Sequence, residues 1–160
     1  VYAVATTQEE VGLRGATTSA YGVSPDIAIA VDVTFGLQQG VQEDESVQMD
    51  AGPAIARGPN FHPAMYERLV AVASKHELPH QSEVIGGASG TDAWAIQVSR
   101  EGIPTALLSI PLRYMHTSVE TANVRDIDRT GRLMALFIAE LDDAFSDELR
   151  FVWEGEQRCC

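Results

Sequence analysis

Glu9, Glu10, Asp32 and His116 are the residues whose chemical types could do more than fold this chain. Carboxylates and an imidazole are ligands of borderline divalent ions such as zinc, cobalt or manganese, and no thiolate is needed among them. A carboxylate left over beside such a site could handle a proton. Glu9 and Glu10 follow the short apolar run Val1-Tyr2-Ala3-Val4-Ala5, which reads as a buried strand, and precede a Gly-rich, helix-like segment. Neighbouring strand residues point to opposite faces, so one carboxylate could hold a metal while the other moves a proton. A solvated acidic turn is the plain alternative for the pair. Asp32 interrupts the otherwise apolar residues 27–33, where a charge must be paired, cap a neighbour or bind a metal. His116 follows the apolar run 105–110. All four therefore fall at or just beyond strand ends, and parallel strands would bring them to the edge where open α/β sheets bind ligands.

The elements that must position these residues can be read from the pattern. Residues 1–6, 27–33 and 104–110 predict buried strands, with briefer ones at 52–56 and 81–85. Continuous apolar runs mark strands covered on both faces, which implies a parallel or mixed sheet. Helices are expected at 13–21, from His62-Pro63 onward with Met65, Leu69 and Val72 buried, at 91–100, and at 126–141. The expected fold class is α/β in three layers: a mostly parallel or mixed sheet with helices on both faces. His62, His76 and His80 read as loop or helix-end residues, not ligands. Gly86-Gly87-Ala88-Ser89-Gly90-Thr91-Asp92 could cradle phosphate through its backbone, but the Lys of a phosphate loop is missing.

Composition sets the outer limits. The chain has 160 residues, one domain's worth, and a formal net charge of −12. That charge argues against nucleic acid and anionic membrane surfaces as partners, and favours cations. No apolar run is long enough for a transmembrane helix. Cys159 and Cys160 are adjacent at the end, which rules out a disulfide framework or a four-ligand zinc site built on them, and gives a faint hint of a reducing, cytoplasmic compartment.

Together the segments Ala5-Thr6-Thr7-Gln8-Glu9-Glu10-Val11-Gly12-Leu13-Arg14-Gly15-Ala16, Ala30-Val31-Asp32-Val33-Thr34, Gly58-Pro59-Asn60, Gly90-Thr91-Asp92-Ala93 and Ile110-Pro111-Leu112-Arg113-Tyr114-Met115-His116-Thr117 resemble the glutamyl-aminopeptidase and tetrahedral-aminopeptidase family of two-metal peptidases, some of whose members carry the label endoglucanase M. The resemblance implies a zinc-peptidase-like catalytic domain that hydrolyses N-terminal peptide bonds by metal-activated water. By the same resemblance Glu9 would be the general base, Glu10 and His116 ligands of one metal, and Asp32 a ligand of the second. Gly90, Thr91 and Asp92 would line the substrate side. Two divalent ions, peptide substrates and a homo-oligomer are implied. The family also uses an upstream His, a bridging Asp and a small inserted β domain, so residues 1–147 would be the C-terminal part of a catalytic domain, with 148–160 as a tail. Two other readings stand beside this one. A glycoside hydrolase needs two carboxyls facing each other across a sugar, which adjacent Glu9 and Glu10 fit poorly. A non-catalytic folded fragment or assembly module would keep the fold without the metals.

Overall fold

The structure is a computed structural model that describes residues 1–149. Its sheet is built from β1 (Ala28–Phe35), β2 (Ala54–Arg57), β3 (Gln81–Val84), β4 (Thr105–Arg113) and the short β5 (Thr121–Ala122). The helices are α1 (Arg14–Val23), α2 (Pro63–Lys75), α3 (Asp92–Ile96), α4 (Val124–Ala139) and α5 (Asp143–Glu148). The strands lie in the order β1-β4-β2-β3, with β5 against β4. β1 runs parallel to β4 and β2 parallel to β3, while an antiparallel contact between β2 and β4 joins the two pairs. The sheet is mixed, as the doubly covered apolar runs anticipate.

Alternation along the strands sorts side chains into two cores. On one face Ile55, Ala106 and Leu108 pack against Met65, Leu69 and Val72 of α2 and Leu133 and Phe137 of α4. Phe145 of α5 closes this core edge-on to Phe137, with ring centroids 5.9 Å apart. On the other face Ala30, Ala56 and Leu107 meet Phe61 and Ala93 of α3, and α1 packs against α3. These are the expected three layers. α2 starts on Pro63, whose fixed φ and missing N–H suit a first helical position. α4 starts at Asn123, whose side chain accepts from the Arg125 N–H.

One buried charge locks α4 to the sheet. Asp126 has no solvent exposure, and its carboxylate accepts from the N–H groups of Asp50 (2.6 Å) and Gly52 (2.9 Å) and from Arg129 (3.2 Å). The bend leading into β2 is thereby fixed by a helix far along the chain.

Three expectations change. Residues 1–6 form no strand: Val1, Tyr2 and Val4 are exposed, and no strand among the described residues pairs with them. Apolar composition favours a strand only where a neighbour supplies the ladder. The helix expected at 91–100 ends at Ile96, because Val98 and Ser99 are weaker helix formers and the chain must turn through Gly102 into β4. β4 continues through Pro111 to Arg113, so His116 lies beyond a longer strand than expected. Of the tail 148–160, Glu148 ends α5, while Trp153, Cys159 and Cys160 lie outside the described residues.

Candidate active site

The two glutamates sit on a tight 3-10 turn, Glu9–Val11, immediately before α1. The N–H groups of Gly12 and Leu13 both donate to the Glu9 carbonyl, at 3.1 and 3.0 Å. Gln8 and Leu13, which flank the turn, adopt left-handed φ values of 59° and 55°, uncommon for non-glycine residues. Turning instead of extending, the backbone sends adjacent carboxylates in different directions, so Glu9 and Glu10 are free to take different roles. The stretch is held from both sides. Gly15 donates its N–H to the Thr7 carbonyl at 2.9 Å, and a Cβ on Gly15 would lie 2.4 Å from the Thr7 nitrogen, so only glycine permits this approach. The Thr6 hydroxyl donates to Asp92 Oδ2 at 2.5 Å.

Asp32 shares a face of β1 with Ala30 and Thr34, and its Oδ1 accepts from the Val33 N–H at 2.7 Å. His116 follows β4 on a left-handed φ of 60°, its backbone N–H donating to Glu120 Oε1 at 2.7 Å. Its Nε2 lies 3.1 Å from Glu10 Oε1, joining positions 106 residues apart.

Glu9, Glu10, Asp32 and His116 line one open cleft of about 290 Å³, together with Gly90 and Thr91. The loop carrying Gly90 and Thr91 is anchored by Asn60, whose side-chain oxygen accepts from the Ser89 N–H at 3.0 Å, and by a contact between the Ser89 and Thr91 hydroxyls at 3.0 Å. The Gly58-Pro59-Asn60 turn is tied to the site loop through that bond. Asp92 behaves differently from its two neighbours, spending one oxygen on Thr6. Thr34, Glu83 and Ser109, further polar residues of the cleft wall, carry no role in the sequence analysis. The Thr34 hydroxyl donates to the Glu83 carboxylate across the site. The only sequence signal for Glu83 is its place in the alternating strand Gln81-Ser82-Glu83-Val84, which puts it on the face of Ala56.

Burial, with like charges added to it, shapes the electrostatics. Burial, followed by the negative charges of Asp32, Glu10 and Asp92, raises the Glu9 pKa above the usual carboxylate value, while His116 opposes the shift. Burial also raises Asp32; the Val33 hydrogen bond opposes it, and Asp92 and Glu10 add to it. Such repulsion is what a bound cation relieves.

The donors fit a divalent ion in chemical type, and Glu10 with His116 converge as the first two ligands of one ion would. Among the described residues no group of three or more His, Cys, Asp or Glu side chains is spaced to hold an ion.

A family profile described as M42 glutamyl aminopeptidase matches residues 1–133. The chain belongs to this family. Peptidases of the M42 family are metal-dependent, in keeping with the donor chemistry of the cleft. The lysyl aminopeptidase of Pyrococcus furiosus is 43% identical over 141 residues, a match that covers 88% of this chain and 41% of that protein. An aminopeptidase from the archaeon Desulfurococcus kamchatkensis superposes with a TM-score of 0.84 at 40% identity, covering 94% of this chain and 44% of that one. The TET1 peptidase of Pyrococcus horikoshii, described as assembling into a tetrahedron or a large octahedral shell, matches with a TM-score of 0.70 and 31% identity, over 85% of this chain and 40% of that one. The chain thus spans well under half the length of the M42 relatives it matches.

Proposed function

We propose that this chain carries part of the active site of a metal-dependent aminopeptidase that hydrolyses N-terminal peptide bonds. The observation that carries the reading is the 3.1 Å approach of His116 to Glu10 inside the cleft that also holds Glu9 and Asp32, in a chain of the M42 family. Glu10 and His116 would hold one divalent ion and Asp32 a second, zinc or cobalt being the first choices and manganese a third. Bound there, such ions polarise the scissile carbonyl and lower the pKa of water.

The protein's own groups do the rest. Glu9 is the spare carboxylate; its raised pKa brings its affinity for a proton closer to neutral, which suits a general base that takes a proton from the attacking water and returns it to the leaving amine. Gly90 and Thr91 offer backbone and hydroxyl groups along the wall where a peptide would lie. Asp92 fixes the approach of the Glu9 turn through Thr6 and acts at one remove from the substrate. Residues 1–147 would form the C-terminal part of the catalytic domain, a reading supported by the share of its relatives that the chain spans, 41% of the lysyl aminopeptidase and 44% of the Desulfurococcus kamchatkensis enzyme. Assembly into a homo-oligomer and a cytoplasmic location complete the reading, the former supported by the shells described for the TET1 relative.

The test compares hydrolysis of one short peptide with a free and with an acetylated N-terminus, alongside a soluble cellulose. An aminopeptidase cleaves only the free form. Cleavage of the blocked peptide, or of the cellulose alone, would overturn the reading.

A further inference from the structure

His116 reaches the cleft from an exposed loop between β4 and β5, and with its side chain 69% exposed, packing does little to aim the ring. Its direction is set by backbone. Tyr114 and His116 adopt left-handed φ values of 61° and 60°, uncommon for residues with a Cβ and sustained by what surrounds them. Here each of the two N–H groups is met by a side-chain oxygen: Tyr114 donates to Gln38 Oε1 at 2.8 Å, and His116 to Glu120 Oε1 at 2.7 Å. The clamps come from different places. Gln38 follows β1, the strand that carries Asp32, and Arg113 donates from its Nε to the Leu37 carbonyl of the same segment at 2.9 Å. Glu120 precedes Thr121, which pairs with Arg113 across β4 and β5. The sheet thus closes the loop at its base, and these two side chains hold its interior.

Neither Gln38 nor Glu120 lines the cleft, so any part they take in the chemistry passes through His116. A ligand that is free to swing must be ordered when the ion binds, and that ordering is subtracted from the affinity; a ligand already aimed escapes the cost. Partners that orient a metal ligand are worth about 10–100-fold in metal affinity. On the reading of His116 as a metal ligand, we propose that Gln38 and Glu120 are positioning residues that set His116 toward Glu10 before the ion arrives. The 3.1 Å approach of His116 Nε2 to Glu10 Oε1 is the aim they maintain. Two exposed hydrogen bonds that merely close a turn would serve the fold instead. The two roles part in what they change: metal affinity in one, thermal stability of the metal-free protein in the other.

The experiment measures zinc affinity of the intact protein by competition with a chelator of known affinity, beside the melting temperature of the metal-free form. His116→Ala identifies the ion concerned. Gln38→Ala and Glu120→Ala should each weaken binding of that ion by about 10-fold or more, while the metal-free melting temperature stays that of the natural protein. Glu120→Gln keeps an oxygen acceptor at the same reach and should bind zinc within a few-fold of the natural protein. Natural affinity in either alanine variant, an equal loss in Glu120→Gln, or a loss matched by a lower melting temperature of the metal-free form would overturn the assignment and leave the aminopeptidase reading standing. Zinc binding unchanged in His116→Ala would sink the reading of His116 as a ligand, and this inference with it.

Discussion

At the scale of single residues the proposed site divides its labour between neighbours. Glu9 and Glu10 are adjacent, yet the 3-10 turn separates their directions and only Glu10 reaches His116. If Glu9 is the base and not a ligand, Glu9→Gln in the intact protein should lower turnover by about 10²–10⁴-fold with metal content and melting temperature unchanged. Equal loss of metal would reassign Glu9 as a ligand. A second residue-scale prediction concerns pH. Burial lowers the His62 pKa below its ordinary value of 6.5, with a hydrogen bond to the Leu149 backbone opposing the shift. The folded form therefore favours neutral His62, so its contribution is complete above pH 6.5 and fades as pH falls from there through the lower folded value. The melting temperature should decline as pH falls below 6.5, less steeply in His62→Gln; identical slopes would remove His62 as the cause. Glu9, Glu10, Asp32 and His116, which share the cleft, could be singled out by type and by their positions after apolar runs. Glu83 was not, because a single Glu in a short alternating strand looks like any solvent-facing residue until Thr34, far away in sequence, is found beside it.

At the scale of elements the site depends on two close approaches and one buried charge. Gly15 lets the chain before the glutamates lie on α1 at a distance no other residue allows. Gly15→Ala should therefore displace the Glu9 turn and cut activity by more than it cuts stability, measured as kcat beside the melting temperature; unchanged kcat would show that the approach is dispensable. Asp126→Ala would leave two buried N–H groups and Arg129 without their acceptor, at a cost of about 3 kcal/mol or more in denaturant unfolding. A loss below about 1 kcal/mol would show that Asp126 is matched by water and not by the helix. The strands at β1 and β4 and the amphipathic helices α2 and α4 were readable because their periodicity follows from burial within this chain. The strand expected at residues 1–6 failed for the same physical reason in reverse: its composition suits a strand, but pairing is a property of the neighbour.

At the scale of the whole molecule, the sheet is mixed, within the mostly parallel or mixed expectation, and its parallel pair β1–β4 lies at the cleft. β1 and β4, parallel and adjacent, deliver Asp32 and His116 to one end, and the turn before α1 brings Glu9 and Glu10 to the same place. The family likeness covers most of this chain, while the chain spans well under half the length of its relatives. The central claim is that these residues, distant in sequence, serve one metal-dependent hydrolytic centre. Its most direct test is turnover of a lysyl or leucyl nitroanilide by the intact protein, before a strong chelator, after it, and after zinc or cobalt is returned. Turnover should vanish with the chelator and return with the ion in the natural protein, and in Glu10→Gln should return only at much higher ion concentration. Chelator-resistant turnover, or restoration in Glu10→Gln at the same ion concentration as in the natural protein, would contradict the account.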